Sequence, residues 1–200
     1  MRDEMSAEDL KDRLAVIESM IAEGRRSTES WGWTFVLWGI AFYVAIAWST
    51  WADGTALAWP VTTACASVLT LIIGLRKGRR QPGTTIGRAV ASVWTAAGIS
   101  MILVFLALGF TGRLDQHSFV AILAAMLGAA NAASGVILRW KMQVACAVVW
   151  WAVSVAACFG SARQASALFL AAIFFCQIVF GVYAMTREAQ RHKEGGVAHA

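Results

Sequence analysis

The fold is decided by charge-free stretches such as residues 116–138, whose sequence is QHSFVAILAAMLGAANAASGVIL. A helix of roughly 20 apolar residues is long enough to cross the hydrocarbon core of a bilayer. The chain has further stretches without Asp, Glu, Lys or Arg at 33–52, 54–75, 89–112, 142–162 and 164–186. Helices of a soluble bundle would carry a polar stripe, and these stretches carry almost none. The sequence therefore predicts an all-α, polytopic membrane protein with six transmembrane helices.

Composition supports this prediction, since 58% of the 200 residues are hydrophobic and only 14% are charged. The spans are placed at about 31–51, 57–75, 89–110, 118–138, 143–160 and 165–185, so that the transmembrane domain covers 31–185. Segment 1–30 is polar and rich in acidic residues, unlike a signal peptide, and is predicted to be a cytoplasmic amphipathic helix. The tail 186–200 contains Gly195-Gly196 and is predicted to be disordered.

The basic residues predict the orientation of the chain. Of the 17 Lys and Arg residues, only Arg113 and Arg163 fall on one side of the predicted bundle. Basic loops stay in the cytoplasm, so both termini are predicted to be cytoplasmic, in a plasma membrane of the bacterial inner-membrane type. The net charge of +5 then follows from topology, and no nucleic-acid partner is predicted. Because most loops are short, the spans are expected to pair as three antiparallel hairpins.

The N-terminal segment carries an apolar row at Leu10, Leu14, Ile17 and Ile21. These spacings match an a/d seam over two heptads, in which Arg13 and Glu18 occupy g and e positions. Three interpretations remain open: a parallel coiled coil between protomers, a helix packed on the cytoplasmic face of its own bundle, or a helix lying on lipid. The excess of acidic residues disfavours the lipid interpretation, because membrane-surface helices are usually rich in Lys and Arg.

Polar side chains occur inside the predicted spans. Asn131 in the fourth span and Gln177 in the sixth lie at nearly the same predicted depth, and Thr95 and Ser67 fall near that level. An unpaired amide is costly in hydrocarbon, so these groups are expected to face protein or water. They are interpreted either as interhelical hydrogen bonds or as a small polar pocket open to the cytoplasm. Rows of small residues in 118–138 predict that this span lies at the bundle centre or at a subunit interface.

Four basic residues lie close together at the start of the 76–88 loop: Arg76, Lys77, Arg79 and Arg80. The positive-inside rule is sufficient to explain them. The alternative interpretation is a contact site for anionic lipid headgroups.

No residue pattern in the chain specifies a reaction. The four cysteines form no C-x-x-C motif, and no His lies in a predicted span. The spans also hold no ionisable carboxylate or amine, the groups that proton relays and ion-coupled pumps use. No catalytic residue, metal site or cofactor is therefore predicted.

The function predicted first is that of a non-enzymatic integral membrane protein. It would act by self-association or by binding a membrane protein partner within the lipid bilayer, in an accessory or regulatory role. The alternative is a small passive transporter or channel-like protein for a neutral or lipid-like solute, which would use the level of Asn131 and Gln177.

Overall fold

The computed structural model describes residues 7–29, 31–51, 57–78 and 85–197, and over these ranges it contains helices and no strand. The helices are α1 (Ala7–Glu29), α2 (Gly32–Trp51), α3 (Ala58–Gly78), α4 (Thr85–Phe110), α5 (Gln116–Ile137), α6 (Lys141–Phe159), α7 (Ala162–Ile173), a π-helical segment (Phe174–Val179) and α8 (Phe180–Val197). The prediction of an all-α fold is confirmed.

Among the residues that the structure describes, six helices are long and apolar enough to cross a membrane, as the sequence predicts. Five of them are α2 to α6, and the sixth is the continuous run of α7, the π segment and the first part of α8, over Ala162–Gln190. The outward faces are apolar too: α4 buries only Val90 and exposes side chains such as Ile102, Leu103 and Leu106. Such extended apolar surfaces are compatible with lipid and not with water. The chain is therefore a membrane-embedded, multi-pass protein.

Local sequence signals set several helix ends. Asp115 precedes α5, and its carboxylate accepts the Ser118 backbone N–H at 2.9 Å. Hydrogen bonding from the Ser118 side chain, and then from this backbone N–H, holds the pKa of Asp115 below its ordinary value. Ser161 precedes α7 and forms a reciprocal capping box with Gln164. Pro60 lies in the first turn of α3, where its missing N–H breaks no helical hydrogen bond. These residues mark the points at which α3, α5 and α7 begin.

The C-terminal tail differs from the prediction. Helix α8 continues past the predicted end of the sixth span and reaches Val197, so that the tail up to that residue is helical. The sequence after Met185 contains good helix formers such as Glu, Gln, Arg and Lys and no proline. Disorder was expected because of Gly195-Gly196, but these glycines come only in the last turn of the helix.

The bundle is organised around α5. Its most extensive contact is with α6, and it also contacts α4 and α7. Helix α2 contacts α3, α7, the π segment and α8, while α1 contacts α4 and α8. Half of the residues in the most apolar stretch of α5 are buried, a larger share than in the other spans. The helix with the small-residue rows is thus the most enclosed one.

Aromatic side chains fill the space between the helices. The Phe35 ring on α2 meets Trp94 on α4 edge to face, with centroids 5.5 Å apart, and meets Phe180 on α8 at 5.1 Å. Trp140, at the start of α6, lies 5.0 Å from the same Phe180 ring. One end of the bundle is therefore defined by the N-terminal ends of α2 and α6 and by α8.

Helices α2 and α8 approach each other backbone to backbone at this end. A Cβ atom added at Gly181 would lie 2.8 Å from the Gly32 carbonyl oxygen and 3.0 Å from the Val36 backbone nitrogen. A Cβ atom added at Gly32 would meet the Gly181 carbonyl oxygen at 2.9 Å. Neither glycine can be enlarged without moving a helix, since two of the three nearest atoms at each position belong to the backbone.

This contact generates a test. We expect Gly181→Ala to lower the free energy of unfolding by about 1–3 kcal/mol, because the added methyl group overpacks the interface. Gly98 in α4 is a matched control, since a Cβ atom there would meet nothing within 4 Å. Gly98→Ala should raise stability by about 0.5–1 kcal/mol through helix propensity. Unfolding in mixed micelles measures both, and equal effects would contradict the packing described.

Candidate functional site

Three polar side chains are fully buried where α5 turns into α6. Asn131 and Ser134 lie on α5 and Gln143 lies on α6, each with 0% of its surface exposed. We refer to Asn131, Ser134 and Gln143 as the buried polar cluster. Its members are neutral, so the cluster offers hydrogen bonds and no net charge.

The tight turn between α5 and α6 positions the cluster. The backbone N–H of Trp140 donates to the Gly135 carbonyl at 2.8 Å, and that of Arg139 donates to Val136 at 3.1 Å. This is a Schellman motif, and Arg139 occupies its left-handed position with a φ of 49°. A Cβ atom on Gly135 would lie 2.9 Å from the backbone nitrogen of Val144. The first turn of α6 therefore packs directly on the last turns of α5.

Asn131 and Ser134 share one face of α5, since residues three apart are neighbours on a helix. Ser134 directly precedes Gly135, whose Cβ position lies 3.3 Å from the Gln143 carbonyl carbon. Gln143, in the first turn of α6, therefore lies next to the Ser134 turn of α5. At about 1.5 Å of rise per residue, Asn131 lies about 9 Å from the end of α5 at Ile137.

Most of the polar atoms in the cluster have no partner among the described residues. The Asn131 Nδ2 amide donates to the Leu127 carbonyl at 2.8 Å, within its own helix. Asn131 Oδ1, Ser134 Oγ and both Oε1 and Nε2 of Gln143 are buried without a hydrogen bond to any described group. Each such group costs roughly 1–3 kcal/mol if nothing satisfies it.

Gln177 is also buried, with 2% of its surface exposed, but it lies against a different helix. Its Cβ atom packs 3.1 Å from the Cβ position of Gly39 on α2. Gly39 lies about 10 Å along α2 from Gly32, so Gln177 and Asn131 lie at similar distances from the same end of the bundle. The preceding Cys176 faces α6, where its thiol lies 3.9 Å from the Cys146 carbonyl oxygen.

The other two members of the predicted polar level lie on the outer surface. Ser67 on α3 and Thr95 on α4 are exposed. The Thr95 hydroxyl donates to the Ala91 carbonyl at 2.8 Å, within its own helix. A hydroxyl group that is satisfied in this way is tolerated against lipid. The structure therefore buries Asn131 and Gln177 and separates them from Ser67 and Thr95.

Sequence reasoning missed Ser134 and Gln143. Gln143 lies two residues after Lys141, where a polar residue is expected at the membrane surface. The signal that could have found it is its spacing from Cys146 and Trp150, which places all three on one face of α6. The structure buries that whole face.

The apolar row of α1 is half-exposed. Leu10, Leu14 and Ile17 keep 48%, 52% and 51% of their surfaces accessible. The side chain of Ile21, the fourth member of the predicted seam, lies outside the described residues. Helix α1 itself contacts α4 and α8, so it is attached to the bundle while the row stays accessible.

The basic loop is only partly described. Arg76 at the end of α3 is exposed, whereas the Lys77 side chain and residues Arg79 and Arg80 lie outside the described ranges. The contact with anionic lipid headgroups stays a prediction.

The structure brings one pair of cysteines together, Cys146 and Cys176, and both are buried. Within the described ranges, no group of three or more His, Cys, Asp or Glu residues is arranged to hold a metal ion. No protein-family model matches the chain, and no similar protein was found among curated proteins or solved structures.

The burial of these polar residues is testable. We expect Gln177→Ala to lower the free energy of unfolding by roughly 2 kcal/mol or more, because it leaves a cavity beside α2. Ser67→Ala and Thr95→Val should each change it by less than about 0.5 kcal/mol, since both side chains are on the surface. Equal losses for the three variants in micelle unfolding would contradict the placement of these residues.

Proposed function

We propose that this chain is a non-enzymatic integral membrane protein that acts by associating with further copies of itself, in an accessory or regulatory role. The single observation that carries the proposal is the half-exposed apolar row of α1. In water such a row favours burial against another apolar surface. The α1 helix of a second copy carries the same apolar row at the same spacing, so the two rows can pack against each other.

The heptad pattern supports a parallel arrangement of the α1 helices. Leu14 occupies an a position, with Leu10 and Ile17 at d positions on either side of it. Arg13 and Glu18 are then at g and e positions, which lie opposite each other across a parallel seam and carry opposite charges. An antiparallel pair would not align these two charges.

The attachment of α1 to the bundle supports the same proposal. Two heptads are too short to form a stable coiled coil alone. Here α1 contacts both α4 and α8, so the membrane part limits the positions that the helix can take. Copies held in one bilayer also meet at a high effective concentration, which lowers the cost of association.

The proposal includes a topology. The spans pair as three hairpins, α2 with α3, α4 with α5, and α6 with the sixth span, and each of these pairs is in contact. Exposed basic residues at the end of the bundle next to α1 support a cytoplasmic location for that end and for both termini: Arg76, Arg88, Arg139, Lys141 and Arg187. We propose the bacterial inner membrane as the location, on the same grounds.

The alternative, passive passage of a neutral solute, ranks second. It is predicted to use the level of Asn131 and Gln177, which are buried, while Ser67 and Thr95, the residues predicted near that level, are on the outer surface of the bundle.

A pair of charge-matched variants tests the association. Leu14→Lys together with Ile17→Lys places two cations in the seam, while Val16→Lys together with Ser19→Lys places two on its outer side. Burial of the exposed half of each seam residue contributes roughly 1 kcal/mol. The seam variant should therefore weaken association at least about 10-fold.

Mass measured by light scattering in micelles, and cross-linking in liposomes, report the oligomer. Wild type and the outer-side variant should form the same oligomer, and the seam variant should dissociate on dilution. An unchanged oligomer in the seam variant would rule out α1 as the contact, and a monomeric wild type in liposomes would rule out self-association.

The orientation has its own test. In a chain whose four native cysteines are replaced by Ala or Ser, a single cysteine introduced at His117 should react with a membrane-impermeant maleimide added to intact cells. One introduced at Arg139 should react only after the cells are opened, because the positive-inside rule places that turn in the cytoplasm. The reverse pattern would invert the proposed topology.

A further inference from the structure

We propose that the buried polar cluster of Asn131, Ser134 and Gln143 is a binding site for a small uncharged molecule that both donates and accepts hydrogen bonds. This site is separate from the α1 seam and does not depend on self-association. Water is the smallest molecule of this class, and a polyol such as glycerol is the next candidate. The shared chemistry is a hydroxyl group held between α5 and α6.

The unpartnered atoms define what the ligand must offer. Gln143 Nε2 is a donor, Gln143 Oε1 and Asn131 Oδ1 are acceptors, and Ser134 Oγ is both. A hydroxyl group pairs with both kinds of atom, since it donates one hydrogen bond and accepts two. The two amide oxygens together need two donated hydrogen bonds, which a water molecule or a molecule with two hydroxyl groups supplies. An anion would meet two amide oxygens and a cation would meet an amide NH₂ group, without any charged side chain to compensate. An uncharged ligand is therefore favoured.

Interhelical hydrogen bonding alone does not account for the cluster. Side chains that hold helices together would donate to or accept from groups on the facing helix. The hydrogen bond made by a cluster side chain runs from Asn131 to Leu127, within α5. Four polar atoms on two adjacent helices have no partner among the described residues, although all three side chains are fully buried. Inside a membrane, bulk water cannot form hydrogen bonds with these groups. Several unpaired donors and acceptors in one place are typical of groups that bind ordered molecules.

The cluster lies close to one end of the bundle. Gln143 is in the first turn of α6, directly after the exposed residues Lys141 and Met142. The indole Nε1 of Trp150 is a further buried atom without a described partner, about 10 Å deeper on the same face of α6. Unpartnered polar atoms therefore begin near the turn and continue inward.

The test observes the Gln143 side-chain amide directly. In full-length protein labelled with ¹⁵N-glutamine and held in micelles, the Gln143 NH₂ signals are assigned by their loss in Gln143→Leu. Magnetisation transfer from water to these protons is then measured in the rotating frame, which separates contact from exchange, first without and then with glycerol.

A bound molecule produces a contact cross-peak at the Gln143 NH₂ group. A cross-peak to water that glycerol leaves unchanged identifies water as the ligand. Its replacement by a cross-peak to glycerol, saturating with concentration, identifies a polyol-sized solute. If neither cross-peak is found, the proposal is wrong.

Variants supply a second measurement. Ser134→Ala should weaken the cross-peak at least several-fold, whereas Thr95→Val, a hydroxyl removed from the outer surface, should leave it unchanged. Gln143→Leu should lower the unfolding temperature, because the ligand loses its partner. A higher unfolding temperature in Gln143→Leu would show that the amide had no partner to lose and would also overturn the proposal. Neither result bears on the α1 seam, whose test is the oligomer mass.

Discussion

Helices in lipid gain little by burying apolar side chains against each other, because the lipid tails are as apolar as the groups they replace. Their association depends on close backbone approach and on polar contacts. This bundle shows the first where Gly32 meets Gly181, and again where Gly135 packs on the backbone of Val144. The helices that make these contacts, α2, α5, α6 and α8, form the centre, while α3 and α4 stay largely exposed.

The lipid environment also determines how the buried polar residues can be satisfied. In a soluble protein, an unpartnered amide near a helix end is easily hydrated. In a bilayer-embedded bundle it must be satisfied by protein or by a trapped molecule. The buried polar cluster lies beside the three-residue connection between α5 and α6, whereas α1 contacts α4 and α8 and keeps its apolar row half-exposed. Ligand binding and self-association would therefore occupy different parts of the molecule and use different forces.

The sequence predicted the fold well because long charge-free stretches have few other interpretations. It predicted the site less well, since depth along a span can be read from residue number and rotation about the helix axis cannot. Asn131 and Thr95 were placed at one level, but one faces the interior and the other faces outward. Gln143 was overlooked because its neighbour Lys141 marks the membrane surface, while the tight turn at Arg139 draws it inside.

The π-helical segment at Phe174–Val179 has a consequence for the register of the sixth span. A π segment accommodates one residue more than an α-helix of the same length, and each residue of an α-helix turns the chain by about 100°. Removing that extra residue would rotate α8 by this angle relative to α7. Gly181 would then no longer face Gly32, and Cys176 and Gln177 would lose their separate neighbours on α6 and α2. The wide π-helical turn in the middle of the span thus sets the rotation of each half, so that one half packs on α6 and the other on α2.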